Sequence, residues 1–205
     1  MQTVFARMSM SLDGYIAGPG DGPDNPLGDG GEQVHEWMVG TDAFRGSHGG
    51  GGGASGPDND VVAEVIARSG ATVLGRRMFD NGEEPWGPEP PFRQPVFVVT
   101  HDAREPLVRE GGTTFHFVTE GIESALEQAR AAAGDRDVEI SGGADLVQQY
   151  LIAGLLDEVE VHLAPVFLGG GVRLFDRHEL TGVRLEPNRV IPSPGVTHVR
   201  YGVVR

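Results

Sequence analysis

From residue 58 to residue 165 the chain alternates valine-rich apolar runs of four to six residues with segments whose apolar side chains recur every three or four positions. Runs that short read as strands buried on both faces, and the helical period between them marks helices with one apolar stripe. Parallel strands need a crossover, usually a helix, so this pattern constrains the fold more than any other feature. It prescribes an α/β domain with a mostly parallel central sheet flanked by helices. The runs cover residues 71–74, 95–100, 114–118 and 138–141. One helix should follow Asp58 or Asn59 as cap, with Val61, Val62, Val65 and Ile66 on one face and Gly70 as its stop. A second should follow Thr119, with Ile122, Ala125, Leu126 and Ala129 inward and Gly134 closing it. A third should open at Gly142-Gly143, carry Val147, Tyr150 and Leu151, and end at Gly154.

Both ends of the chain extend the pattern. Residues 3–10 alternate well enough for a strand with Val4, Ala6, Met8 and Met10 on one face. Residues 156–165 set Val159, Val161 and Leu163 against Glu158, Glu160 and His162, which predicts a half-buried strand with a polar outer face. Residues 183–191 and 196–204 form a long antiparallel hairpin turned at Pro192-Ser193-Pro194-Gly195. Its outer strand, with Val199, Tyr201 and Val203 on one face, would be an exposed edge, a hazard that pairing of two copies would remove; a homodimer is expected. Residues 32–39 suit a short helix carrying Trp37 and Met38, and residues 46–57, with five consecutive glycines, read as a flexible surface insertion. Residues 1–205 are therefore expected to form one domain with that insertion.

Composition removes whole classes of chemistry. The chain has no cysteine, so disulfides, thiolate metal sites and cysteine catalysis are out. All 16 basic residues are arginine, against 30 acidic ones, which excludes a lysine nucleophile or a P-loop lysine. A net charge of −14 opposes binding to nucleic acid. No apolar run reaches membrane-spanning length and no signal segment is visible at the start, so a soluble, cytoplasmic protein is expected. The seven histidines are dispersed with none four residues apart, so no metal site is expected. No Gly-x-Ser-x-Gly elbow exists, and Gly51-x-Gly53-x-x-Gly56 follows no strand, so its likeness to a dinucleotide fingerprint is accidental.

In a parallel α/β sheet, ligands bind beyond the carboxyl ends of the strands. Here those ends are Asp13-Gly14, Gly75-Arg76-Arg77, Thr100-His101 and Ser141-Gly142-Gly143. Glycine at a strand-to-helix junction allows close backbone approach to a phosphate, and Arg76-Arg77 adds bidentate donors suited to a phosphate monoester. Each feature also has a structural reading, as solvated arginines and as a tight turn. Two such junctions together match a dinucleotide, which has two phosphate regions to hold. Trp37, Trp86 and the proline-rich residues 85–95 either line a pocket or pack under a loop.

The segments Met10-Ser11-Leu12-Asp13-Gly14-Tyr15-Ile16-Ala17, Leu74-Gly75-Arg76-Arg77-Met78-Phe79, Pro95-Val96-Phe97-Val98-Val99-Thr100-His101 and Ile140-Ser141-Gly142-Gly143-Ala144 occur in this order. Ala153-Gly154-Leu155-Leu156-Asp157-Glu158 and Pro165-Val166-Phe167-Leu168-Gly169-Gly170-Gly171 complete the set. In them the chain resembles the dihydrofolate reductase-like superfamily, in the branch of the reductase (C-terminal) domain of the riboflavin-biosynthesis deaminase–reductase. The resemblance implies that fold and the cofactor NADPH. It would set the Ile16 and Ala17 backbone against the nicotinamide. Gly75, Arg76, Arg77, Thr100 and His101 would hold the ribose phosphate. Ser141, Gly142, Gly143, Ala144, Asp145 and Leu146 would wrap the pyrophosphate. No counterpart of the zinc deaminase domain is expected in these residues, since its cysteine signature cannot occur without cysteine. Ile140-Ser141 stands where the riboflavin reductases tend to carry a substrate-holding glutamate.

The resemblance thus implies an NADPH-dependent reductase that passes hydride to a C=N or C=O bond of a small heterocyclic or sugar-linked substrate. Asp13 is the candidate catalytic polar group at the nicotinamide end, with bound water as the other proton donor and an Asp-Gly turn as the structural alternative. Trp37 is the candidate substrate contact. Two other classes compete: a non-catalytic NADPH-binding module, and a methyltransferase, which would need an acid at a strand end where Arg76-Arg77 stands. A dihydrofolate or pterin reductase is a closer alternative.

Overall fold

The computed structural model describes residues 2–204. In chain order the elements are β1 (Val4–Ser11), β2 (Tyr15–Ala17), α1 (Glu36–Val39), α2 (Asp42–Ser47), α3 (Pro57–Arg68), β3 (Ser69–Gly75), α4 (Arg76–Gly82), β4 (Pro95–Val99), β5 (Leu107–Val108) and β6 (Thr114–Val118). They continue with α5 (Ile122–Ala133), β7 (Asp137–Gly142), α6 (Ala144–Ile152), β8 (Glu158–Ala164), β9 (Val172–Arg173), β10 (Arg184–Ser193) and β11 (Val196–Val204). Nine strands form one sheet in the order β10-β11-β8-β1-β7-β3-β4-β6-β5, and β2 pairs with β9 beside it. The six central strands run parallel, and β10, β11 and β5 are antiparallel to their neighbours. This is the mixed α/β architecture that the alternation prescribed.

Side-chain alternation divides the sheet into two faces with different fillings. Val4, Ala6, Val73, Val138, Ile140, Val159 and Val161 lie on one face and form the main core with Leu126, Ala129, Val147 and Tyr150 of α5 and α6. Burying a Val or Ile side chain stabilises by roughly 1.5–3 kcal/mol, so this face holds the fold together. On the other face, Leu74, Val96 and Val98 pack with Phe79 and Phe115 toward one end of the sheet. Toward the other end Trp37, Val61, Val62 and Val196 form a small cluster between the hairpin and α1–α3.

The structure differs from the sequence expectations at several places. The helix expected after Asp58 or Asn59 is capped instead at Gly56, with Pro57 in its first turn where a missing N–H costs nothing. This frees both side chains: Asn59 accepts the Ala43 N–H, and Asp58 reaches His198 and Ser193. Ile66 is 47% exposed, and Gly70 lies inside β3 because the strand begins at Ser69. The α5 cap is Gly121 rather than Thr119. Residues 46–57 are not a free insertion: the Gly52 and Gly53 amides donate to Asp42 Oδ1, and Thr41 bridges to Ala54. The hairpin inserts β11 between β10 and β8, so the edge is β10, not the strand carrying Val199, Tyr201 and Val203. Pro187, a register irregularity beside it and Pro192 already blunt that edge, and a second copy adding there would face them. No helix among the described residues is long and apolar enough to cross a membrane.

Candidate active site

The carboxyl ends of the parallel strands open into a cavity of about 830 Å³. Its walls include Ile16 and Ala17 of β2, the Gly75-Arg76-Arg77 junction, Thr100 and His101 after β4, and Ser141, Gly143, Ala144, Asp145 and Leu146 between β7 and α6. Strand ends that are far apart in sequence meet here because β3 lies between β4 and β7, and β7 lies beside β1.

One end of the cavity is suited to an anion. The first amides of α6 have no side-chain cap, so they carry the helix's partial positive charge toward the opening. A Cβ built on Gly143 would meet nothing within 4 Å, which leaves its side of the backbone open to the cavity. Gly142 has φ +116° and a Cβ there would crowd Met8 at 3.2 Å, so glycine is required at that position for conformation as well as space. Asp145 is held by Arg177 and by Gln149 Nε2 at 2.6 Å, which draws its charge away from the helix start.

The two arginines behave differently. Arg76 donates to Asp80 at 2.7 Å, to Thr100 Oγ1 at 3.4 Å and to Asp102 at 3.1 Å. Its hydrogen bond to Asp80 raises its pKa further above the ordinary arginine value, so it is a permanent cation. Arg77, expected beside Thr100, instead pairs with Asp21 of the 18–31 loop and is 66% exposed. The arginine that meets Thr100 is therefore Arg76.

The other end of the cavity was not read from the sequence. Arg7, Ser9, His35, Met38 and His162 line it. Arg7 Nε donates to Glu139 at 3.2 Å, and Ser69 and Ser141 donate to the same buried carboxylate at 3.1 and 3.2 Å. Glu139 thus immediately precedes Ile140-Ser141, where the resemblance would set a substrate-holding glutamate, and is engaged in the fold's own hydrogen bonds. His162 faces His198 with the two Nδ1 atoms 2.8 Å apart, and His198 Nε2 is 3.0 Å from Asp58 Oδ1. Burial pushes His162 well below the ordinary histidine value, and burial with the Arg7 charge lowers His35 to about 4, so both rings are neutral near pH 7.

Two candidates from the sequence lie elsewhere. Asp13 is absent from the cavity wall; its carboxylate accepts from Ser11 Oγ at 2.6 Å and from the Leu168 and Gly169 amides at 3.1 and 2.7 Å. The Ser11 hydrogen bond, helped by those amides, lowers its pKa to about 2, so it is an ionised clamp between two loops and not a proton donor. Trp37 is buried, with Nε1–H donating to Ser9 Oγ at 3.1 Å and its ring 4.6 Å from that of His162 and 4.8 Å from that of His198. It packs behind the cavity wall rather than forming it. Trp86 does both, lining the cavity and packing edge-on to Phe92. Among the described residues no cluster of ligands suited to a metal ion occurs.

Arg7, Ser9, His162 and His198 share one face of neighbouring strands: Ser9 is in register with His162 and His162 with His198. The signal in the sequence was the polar half of each alternating strand. Strand pairing and the helices above that half cannot be seen in the pattern, so nothing local marks it as part of a cavity wall.

Known structures share this architecture. The chain is similar to a putative riboflavin biosynthesis protein from Shewanella sp. PV-4, with 22% identity, a TM-score of 0.71 and 100% of each chain covered. It is also similar to dihydrofolate reductase from Enterococcus faecalis complexed with NADP(H), with 14% identity and a TM-score of 0.57 over 98% of this chain and 96% of that one. The RibD of Acinetobacter baumannii shares 17% identity at a TM-score of 0.62, covering 100% of this chain and 59% of that one. These establish a dihydrofolate reductase-like fold. No curated protein sequence matches the chain. The RibD C-terminal domain family matches residues 2–198, nearly the whole length, and the chain belongs to that family.

Proposed function

We propose that this protein is an NADPH-dependent reductase acting on a C=N or C=O bond of a small heterocyclic or sugar-linked substrate. Family membership supports a reductase-type role. The observation that carries the cofactor is the anion end of the cavity, where the uncapped start of α6 and open Gly143 adjoin Arg76 and Thr100. The residues present fit the group. Gly143 and the first amides of α6 would take the pyrophosphate. Arg76, with Thr100 and His101 beside it, would take the ribose phosphate; Asp102, which now occupies Arg76, is 80% exposed and can turn to water at little cost. Ile16 and Ala17 would flank the nicotinamide, leaving the Arg7, Ser9, His35, Met38 and His162 end for substrate. When bound, such a cofactor supplies the hydride; the protein orients it and supplies the proton.

Titration with NADPH and NADH tests the assignment, with NADPH expected to bind more tightly. Equal affinity for both would remove the ribose-phosphate site. A screen of pterin, folate and pyrimidine compounds for NADPH oxidation then tests turnover. Binding without oxidation of any of them would favour a non-catalytic module.

A further inference from the structure

We propose that the β1 end of the cavity is a carboxylate site, in which the terminal nitrogens of Arg7 and the imidazole of His35 hold the planar acid group of a small organic anion. That this anion is the molecule reduced rests on the reductase reading; the site itself rests on side-chain geometry.

Arg7 lies in mid-strand in β1, which runs between β7 and β8 at the centre of the sheet. Its Nε donates to Glu139 at 3.2 Å, and Ser69 and Ser141 donate to the same carboxylate, so Glu139 fixes the guanidinium by its rear edge. The forward edge is unspent. Nη1 has only the Met38 sulfur at 3.9 Å, and Nη2 donates to nothing among the described residues. The side chain keeps 22% of its surface although it sits mid-sheet beneath α1, and the space it lines is the cavity. Two parallel N–H groups on one edge match the two oxygens of a carboxylate, a pairing that guanidinium makes better than any other side chain.

His35 completes the site. It lines the same cavity just before α1, and its ring makes no hydrogen bond among the described residues. Unlike His162 Nε2, which is sealed as well as unpartnered, its nitrogens keep accessible surface. Arg7 acts electrostatically on His35, and His35 on His162, which sets the ring between α1 and the sheet. A neutral imidazole has one N–H to donate, and it can serve an anion without a second charge being desolvated.

The surrounding charge favours that anion. Beside burial, the charges that keep His35 and His162 neutral are cationic: Arg7 at the first, Arg7 and Arg200 among those at the second. The acids that line the cavity are already taken, Asp21 by Arg77, Asp102 by Arg76 and Asp145 by Arg177. Leu27, Met38 and Trp86 add apolar wall, which suits a flat, apolar body carrying the acid group. A phosphate ester, with three oxygens and up to two charges, would be left short of donors here. One guanidinium edge and one neutral ring serve a planar monoanion.

Calorimetric titration of the whole chain with benzoate, benzamide and phenyl phosphate tests the site. Benzoate should bind at least about tenfold tighter than benzamide, its neutral counterpart, and tighter than phenyl phosphate. Benzamide binding as well as benzoate, phenyl phosphate binding better, or benzoate not binding at all would overturn the proposal. Arg7→Gln should weaken benzoate about tenfold or more while NADPH affinity stays within about twofold, and undiminished benzoate binding would overturn it too. Should Arg7→Gln, which strips Glu139 of its arginine, fail to fold, the unmodified protein still decides. In nitrogen-detected NMR, benzoate but not benzamide should shift the Arg7 Nη and His35 ring signals and leave His116, outside the cavity wall, in place. Unmoved Arg7 and His35 signals would put benzoate elsewhere and overturn the site. If NADPH fails to bind while benzoate behaves as expected, the reductase reading falls and the carboxylate site stands. If NADPH binds and benzoate does not, the site falls and the reading stands.

Discussion

The anion end and the histidine end of the cavity are built on different physics. At β3, β4 and α6 the polar groups belong to strand termini and helix starts: backbone amides, glycines, and an arginine partly open to water. At β1, β8 and β11 they are side chains in mid-strand, aligned across the sheet and roofed by α1 and α3. There Glu160, 1% exposed, is flanked by Arg200 at 2.8 Å, and Arg189 and Arg200 each bond Glu64 at 2.6 Å. The first end leaves donors unfilled; the second keeps nearly every buried polar atom satisfied, His162 Nε2 apart. Damage should therefore show as lost affinity at the first end and as lost stability at the second.

The contrast is broken most sharply at Glu160. Glu160→Ala removes the buried partner of Arg200, leaving it only Glu64, and should cost about 3 kcal/mol in urea unfolding, the upper end for a partner lost from a buried hydrogen-bonded group. A loss below about 1 kcal/mol would mean the row is no more than a surface network. At the opposite end, Gly143→Val should fold normally, because its side chain enters open space, yet lose about 100-fold in NADPH affinity, about 2.7 kcal/mol. Gly142→Ala, by contrast, forces φ +116° on a residue with a Cβ and should lower stability. Calorimetric titration and thermal melting separate the two outcomes.

Arg76→Ala should weaken NADPH about tenfold and leave NADH nearly unchanged. Arg77→Ala should cost no more than about threefold, since its exposed side chain is spent on Asp21. The reverse order would restore Arg77 as the phosphate ligand.

The histidine end also predicts a pH response. His35 and His162 have folded pKa values below 6.5, so as pH falls through 6.5 the unfolded chain takes up protons that the folded chain refuses. Stability is fully present above that value and declines toward about pH 4, where His35 protonates in the fold as well. The melting temperature should drop by on the order of a few degrees between about pH 7 and about pH 5. A flat profile would remove the neutral, buried histidines. The smallest effect is expected in the glycine tract: excising Gly49, Gly50 and Gly51 should change stability by less than ~1 kcal/mol, because loop closure varies slowly with length. Removing Gly52 and Gly53 as well would also delete the amides bonded to Asp42 and should cost more.

Legibility followed the same division. Gly75, Thr100, Gly143 and the start of α6 could be found because a strand end and a helix start leave local marks: glycine, a period change, a turn. Asp13 was legible as a turn residue, but its partners, the Leu168 and Gly169 amides, lie more than 150 positions away, at separations of 155 and 156. The polar half of β8 misled for a related reason. A period of two says that Glu160 and His162 share a face, and nothing in it says what covers that face.

The sequence by itself determined the α/β class, the strand and helix order, and the glycine junctions that open the cavity, because each rests on periodicity and backbone freedom within a few residues. Tertiary structure alone decided that β11 lies inside the sheet, that Arg76 rather than Arg77 meets Thr100, and that His198 sits in register with His162. Those facts depend on which strands pair and in what register. Pairing is fixed by the summed packing of both sheet faces, a quantity spread over the whole chain.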